Sequence, residues 1–214
     1  MISRDTLTKS VSEAISLGRG RKFTQGIDLQ IVFRGLDPKS PEARFRDAVY
    51  LPKGLGRRLR ICVIADGDMA LKAREQADLL ITREELQSLD KKRAKKIASE
   101  CDWILVKTDL MGLAGRVLGP ALGPRGKAPT PVPANADIIS MINYYRSVTR
   151  LRNREQPFVS CRVGSENMKI EDIVENILTV LGYVENKVKQ PLEQVVDYII
   201  IKTTMGPPVR VSIR

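Results

Sequence analysis

Two threonine hydroxyls, a methionine and a glycine stand in succession at Thr203-Thr204-Met205-Gly206, ahead of Pro207-Pro208. The hydroxyls can donate to or accept from a polar partner. Met205 offers a soft apolar surface, and Gly206 lets a partner approach the backbone. Together they make a compact recognition surface. The plain alternative is an ordinary hairpin turn in which Gly206 supplies a positive φ. Other chemistry is sparse. The chain has no histidine, so the commonest general base and metal ligand is missing. Nothing pairs a nucleophile with a base, and neither a catalytic residue nor a metal site is predicted.

One more tract bears on chemistry, the Gly/Pro-rich run from Asp109 to Pro131. It follows a strand pattern, as phosphate-binding loops do. The dinucleotide pattern G-x-G-x-x-G does not occur. Walker A fails twice, because Ala128 follows Gly126-Lys127 and Ala121 replaces the first glycine. The tract reads as a short glycine-bearing helix followed by a proline-stiffened basic loop. That loop is either a rigid crossover or a basic backbone surface offered to RNA or another partner. No cofactor is predicted.

Charge points to the class of partner. The chain carries 36 Lys+Arg against 25 Asp+Glu, a net charge of +11, which suits a polyanion such as nucleic acid. The cations gather at element ends. They are Arg19, Arg21 and Lys22; Lys53, Arg57, Arg58 and Arg60; Lys107, Arg116, Arg125 and Lys127; and Arg146, Arg150, Arg152 and Arg154. Any one cluster could equally be a solvated surface.

The elements that must position these groups follow from periodicity. Leu7, Val11, Ala14 and Ile15 mark one face of an opening helix. Ile27, Leu29, Ile31 and Phe33 alternate with polar residues, the mark of a half-buried strand. A second strand runs through Phe45 to Leu51, and Pro52-Lys53-Gly54-Leu55-Gly56 then forms a flexible break. Beyond it, Ile61 to Ala65, Leu79 to Ile81 and Trp103 to Val106 are continuous apolar runs. Such runs suit parallel strands buried on both faces. Thr82-Arg83-Glu84-Glu85 is a capping box, and Ile138 to Val148 reads as a helix. After Arg150 the alternating style returns. Phe158 to Val163 is a strand, Ile170 to Leu181 carries a helical stripe, and Val196 to Lys202 and Val209 to Arg214 flank the Thr-Met-Gly turn.

This order predicts two domains of α/β and α+β class. A terminal α+β domain is built from both chain ends, residues 1–54 and 150–214. An α/β domain, residues 55–149, is inserted between them, with a hinge at Gly54, Gly56 and Arg150. One uninterrupted α/β domain would account for the same pattern. Cys62, Cys101 and Cys161 lie in apolar runs without C-x-x-C spacing. They read as buried thiols in a reducing cytoplasm. No apolar run reaches the roughly 20 residues that span a bilayer, so no membrane partner is predicted.

Three motifs carry a family resemblance. The tract Met111 to Pro133, the link Leu51-Pro52-Lys53-Gly54-Leu55-Gly56 and the turn Thr203-Thr204-Met205-Gly206-Pro207 together resemble the large-subunit ribosomal protein L-one family. They do so in order and spacing over essentially the whole chain, with a compact N-terminus more archaeal than bacterial. The resemblance implies a split β-α-β terminal domain that binds large-subunit rRNA, and a Rossmann-like inserted three-layer α/β domain without nucleotide binding. It also implies a place in the mobile rRNA stalk beside the tRNA exit site, assisting release of deacylated tRNA. It implies repression of translation through the protein's own mRNA, a cytoplasmic ribosome-bound protein, and a monomer when free. Carried over by residue, the RNA-facing positions are Thr204, Met205, Gly206, Phe23 and Gly164, the last in a loop after a strand. Thr203 joins them through its hydroxyl, and Lys22, Arg162 and Arg210 through charge. Two other classes remain open, an enzyme using the inserted domain and a general basic RNA chaperone.

Overall fold

The alternation around Ile27 and the continuous apolar runs after Gly56 fold as two separate units in a computed structural model of the chain. It describes residues 2–35, 37, 40, 44–153 and 155–213. Arg154 and Arg214, named above, lie outside the described residues. One unit comprises Met1–Arg57 with Ser147–Arg214, and the other Arg58–Arg146.

The first unit has a six-stranded sheet. Its strands are β1 (Gly26–Phe33), β2 (Arg46–Tyr50), β7 (Val148–Arg152), β8 (Phe158–Ser165), β9 (Val196–Thr203) and β10 (Val209–Ser212), in the order β10-β9-β1-β8-β7-β2. Every pairing is antiparallel. Helices α1 (Arg4–Gly18) and α7 (Ile170–Val188) lie against the sheet and each other. They bury Ile27, Leu29, Ile31, Val159, Val163, Ile199 and Ile201 on that side, while Asp28, Gln30, Ser160 and Arg162 remain half-buried. This is the period of two expected of a sheet covered on one face. Ser3 caps α1 by accepting from the Thr6 amide. The α7 stripe of Ile173, Ile177, Val180 and Val184 is buried. A single turn, α8 (Leu192–Val195), leads into β9.

The second unit is an α/β layer structure. Its strands β3 (Ile61–Ile64), β4 (Leu79–Ile81), β5 (Trp103–Lys107) and β6 (Thr130–Val132) are all parallel, in the order β4-β3-β5-β6. The helices are α2 (Gly67–Ala73), α3 (Arg83–Gln87), α4 (Lys91–Glu100), α5 (Met111–Leu122) and α6 (Ile138–Tyr145). Leu86, Ala94, Ala98, Leu118 and Leu122 pack with Cys62, Ile64, Ile104 and Val106 in one core. Elsewhere α2 packs with α6, and Trp103 tilts against Tyr145 at 4.9 Å between ring centroids. The Thr82–Glu85 capping box forms with both of its reciprocal hydrogen bonds. Among the described residues no helix is long and apolar enough to cross a membrane, and no group of three metal-ligating side chains is assembled.

Several expectations need correction. Cys62 and Cys101 are joined by a disulfide, and only Cys161 is a free buried thiol. Cys101 ends α4 two residues before β5, which pairs with β3, the strand that carries Cys62. Their Cα atoms lie 5.8 Å apart despite 39 residues of chain between them, within the span a bridge needs. No local spacing could reveal that pairing. Burial drives the Cys161 thiol far above its ordinary pKa, so it stays protonated. Strand β4 is an edge strand with Leu79 and Leu80 half-buried, where burial on both faces was expected. Arg150, expected at a chain crossing, lies inside β7 opposite Ala48. The chain passes between units at residues 57–58 and 146–147 instead. Nor is the Lys53–Gly56 link loose. The buried Asn176 accepts from the Lys53 amide at 3.1 Å and donates to the Gly54 carbonyl at 2.8 Å. Gly54 and Gly56 do adopt positive φ, +62° and +68°. A Cβ on Gly56 would lie 2.6 Å from Met168 Cγ, so packing holds this link as firmly as conformation does.

Candidate nucleic-acid interface

Three connections of the first unit meet at one end of its sheet. They are the α1–β1 segment, the turn between β8 and α7, and the β9–β10 turn that carries Thr204-Met205-Gly206. A glutamine, Gln25, ties them together. Its side chain is 1 % exposed. Nε2 donates to the Gly18 carbonyl at 2.7 Å, and Oε1 accepts from the Met205 amide at 3.0 Å. Its own amide donates to Glu166 Oε1 at 2.8 Å, and its carbonyl accepts from the Glu166 amide at 3.1 Å and the Ser165 hydroxyl at 3.3 Å. A buried amide group with both ends satisfied fixes geometry more than it adds stability.

The β9–β10 turn is held from beneath. The Thr204 amide donates to the Gly26 carbonyl at 2.9 Å, and the Gly206 amide to the Thr203 carbonyl at 3.0 Å. The Thr204 hydroxyl donates to Asp28 Oδ2 at 2.9 Å, and Arg21 Nη2 donates to the Met205 carbonyl at 3.4 Å. Asn167 Nδ2 donates to the Thr24 hydroxyl at 3.2 Å, joining the other two connections. On this frame the apolar side chains point outward. Met205 is 57 % exposed and Phe23 56 %. A phenylalanine and a methionine displayed on a hydrogen-bonded platform, beside exposed Arg19, Arg21 and Lys22, can stack on bases or sugars while the cations meet phosphates.

The residues expected at the interface divide on inspection. Thr204, Met205, Phe23 and Lys22 are exposed and belong to the joined segments. Arg162 is half-buried. It folds over Gly26, where an added Cβ would sit 2.5 Å from its Nε, and Nε donates to the Gly164 carbonyl at 3.0 Å. Thr203 does not face a partner. It is 0 % exposed, and its hydroxyl makes no hydrogen bond among the described residues. Its side chain fills the space between Gly18 and Gly206, where added Cβ atoms would fall 2.2 Å and 2.1 Å from Thr203 Oγ1. Gly206 is therefore required by close approach to Thr203; its φ is not positive, contrary to the turn chemistry expected. Gly164 lies inside β8, buried opposite Ile27, and not in a loop. Arg210 turns away from the junction. It stacks over Tyr198 at 3.6 Å and reaches Asp197 at 4.0 Å, near the start of β9. Gln25, Asp28 and Glu166 were not anticipated as organising residues. Only Gln25 left a trace in the sequence, as a polar residue directly before a strand.

The basic loop after α5 also resolves. Lys127 Nζ donates to the carbonyls of Ala98 at 2.9 Å, Ser99 at 3.3 Å and Cys101 at 2.6 Å, closing the C-terminus of α4. Arg125 donates to the Ala121 carbonyl at 3.0 Å and the Ser99 hydroxyl at 3.1 Å. Both cations brace the fold rather than face a ligand. At the carboxyl ends of β3 and β5, where α/β sheets commonly bind ligands, Lys107 Nζ bonds Asp66 at 2.6 Å and lies 3.6 Å from Asp109. The bond to Lys107 holds the Asp66 carboxyl below its usual pKa, and the same bond raises that of Lys107.

The comparisons with known proteins agree with one another. Residues 11–207 match the Ribosomal protein L1p/L10e family. The large ribosomal subunit protein uL1 of Staphylothermus marinus is 50 % identical over 210 residues, covering 98 % of this chain and 97 % of the relative. That of Hyperthermus butylicus is 49 % identical over 215 residues, covering 100 % of this chain and 99 % of the relative. That of Archaeoglobus fulgidus is 44 % identical, covering 99 % of each. With residues 11–207 of this chain matched to the family and relatives this similar end to end, the chain belongs to the Ribosomal protein L1p/L10e family.

Proposed function

We propose that this protein binds large-subunit rRNA through the junction built on Gln25, with Met205, Thr204, Phe23 and Lys22 as the contacting groups. The coarser statement rests on family membership. This is a ribosomal protein, a structural constituent of the large subunit rather than an enzyme, and it is ribosome-associated in the cytoplasm. The finer reading is that it forms part of the mobile rRNA stalk and helps release deacylated tRNA at the exit site. It further includes binding a similar structure in its own mRNA, repressing translation, and being a monomer when free.

One observation supports the rRNA site above the rest. Met205 and Phe23 are large apolar side chains, each more than half exposed; the Met205 amide and carbonyl are both hydrogen-bonded, and Phe23 lies two residues before the buried Gln25. Burial would stabilise such groups and exposure does not. Two exposed apolar side chains beside cations suit an RNA that presents sugar and base faces.

The test compares wild type with Met205→Asp for affinity to an rRNA stalk fragment, alongside thermal melting. Because Met205 is exposed, melting should stay within about 0.5 kcal/mol of wild type. Affinity should fall by about 1–3 kcal/mol because the thioether no longer packs on the RNA, and further because a carboxylate now faces phosphate. Unchanged affinity, or loss that tracks unfolding, removes the turn from the interface.

A further inference from the structure

The second unit carries its own strongly charged surface, on α4. Its sequence is Lys91-Lys92-Arg93-Ala94-Lys95-Lys96-Ile97-Ala98-Ser99-Glu100. Ala94 and Ala98 are buried against the core, Ile97 is half-buried, and all five cations are exposed. At 3.6 residues per turn, Lys91 and Lys95 lie one above the other, as do Lys92 and Lys96. The result is an outward face of lysine.

Helix electrostatics oppose this arrangement. Like charges four residues apart destabilise a helix, and cations in the first turn oppose its dipole. Lys91, Lys92 and Arg93 occupy that first turn, which holds no acidic residue. Neutralisation within the fold is slight. Of the five α4 cations, only Lys96 has an ion-pair partner among the described residues, Glu100 at 3.9 Å, which Arg60 shares at 3.9 Å. The helix is held despite this by its ends. Asp90 Oδ1 accepts from the Arg93 amide at 2.7 Å, and Lys127 closes the other terminus.

We propose that the exposed face of α4 is a second RNA-binding surface, which grips the phosphate backbone of a double-stranded segment without reading its sequence. The chemistry favours RNA over a protein. The face is dominated by lysine, which is depleted from protein–protein interfaces, and it lacks the aromatic and apolar anchors those interfaces use. Flexible ammonium groups are point charges suited to phosphates at varying positions. The surface lies in a different unit from the Thr-Met-Gly turn, and the proposal stands whether or not that turn binds rRNA.

The experiment uses the full-length protein and a mixed-sequence RNA duplex, titrated across salt. The test variant is Lys92→Gln/Lys95→Gln/Lys96→Gln. The control, Arg74→Gln/Arg83→Gln/Arg116→Gln, removes the same charge from exposed positions scattered over the same unit. The test variant should lose at least about tenfold in affinity at low salt. The slope of log Kobs against log salt should become shallower by about 2–3, near 0.9 for each phosphate no longer neutralised. The control should shift affinity by less than about threefold. Its melting temperature should not fall, and that of the test variant should hold or rise as like-charge repulsion is removed. Equal losses in the two variants would make the effect one of net charge and overturn the proposal, as would an unchanged slope. An oligo-glutamate peptide that discriminates the variants when duplex RNA does not would assign the face to an acidic protein and also overturn it. Preference for the rRNA stalk fragment over the duplex reports on the turn alone, so failure of either reading is seen separately.

Discussion

Met205 and Thr203 are two residues apart and have opposite fates. Met205 is displayed to solvent, whereas Thr203 is sealed between two glycines. Sequence chemistry gives both a plausible contact role, because a hydroxyl and a thioether each suit RNA. The strand parity of β9 separates them. Thr203 shares the inward face with Ile199 and Ile201, and the turn begins after it. The close approach makes a testable claim. Gly206→Ala places a Cβ 2.1 Å from Thr203 Oγ1, and should destabilise the first unit by about 1–3 kcal/mol, the usual cost of overpacking. Thr203→Ala removes the clashing atoms, so the double variant should recover much of that loss. A double-mutant cycle from urea unfolding measures the coupling. Additive effects would show that Thr203 does not set the shape of the turn.

At the scale of elements, the cations of the Gly/Pro tract change role between sequence and structure. Arg125 and Lys127 read in the sequence as part of a basic surface, yet they cap helix carbonyls. A cation at a helix C-terminus meets both the partial negative charge of the dipole and unpaired carbonyls. Lys127→Met should therefore destabilise the second unit by about 1–2 kcal/mol. Affinity for the rRNA stalk fragment should be unchanged. Urea unfolding and fragment binding on the same sample separate the two outcomes. A variant of full stability and weakened binding would return Lys127 to an RNA-facing role. The reversal arises because α4 ends where the tract passes, a proximity that no local pattern encodes.

For the whole molecule, the division of labour is itself a prediction. Residues 1–57 joined to 147–214 by a short linker should fold and keep preference for the rRNA stalk fragment, since the Gln25 junction lies wholly within them. The fragment 58–146 should also fold, since it holds a complete parallel sheet, its own core and the Cys62–Cys101 bridge. It should bind the stalk fragment no better than an unrelated duplex. Circular dichroism and competition binding check both fragments. If residues 58–146 bound the stalk fragment as tightly as the full chain, the rRNA site would have to be moved there.

Much of the architecture was present in the sequence, because local periodicity carries it. Alternation from Ile27 to Phe33 and the stripe from Ile170 to Leu181 mark one-sided burial, and the continuous runs at Ile61 and Trp103 mark two-sided burial. Each depends only on neighbours along the chain. The Thr-Met-Gly turn and the positive charge likewise motivate the proposed interface, which the binding measurements above test. Tertiary structure decided what depends on distant residues. It paired Cys62 with Cys101 and placed Arg150 inside a strand. It turned Arg210 onto Tyr198 and made Gln25 the centre of three connections. It also left α4 with a cationic face that only Glu100 partly neutralises, because which charges find partners depends on what the fold brings within a few ångströms.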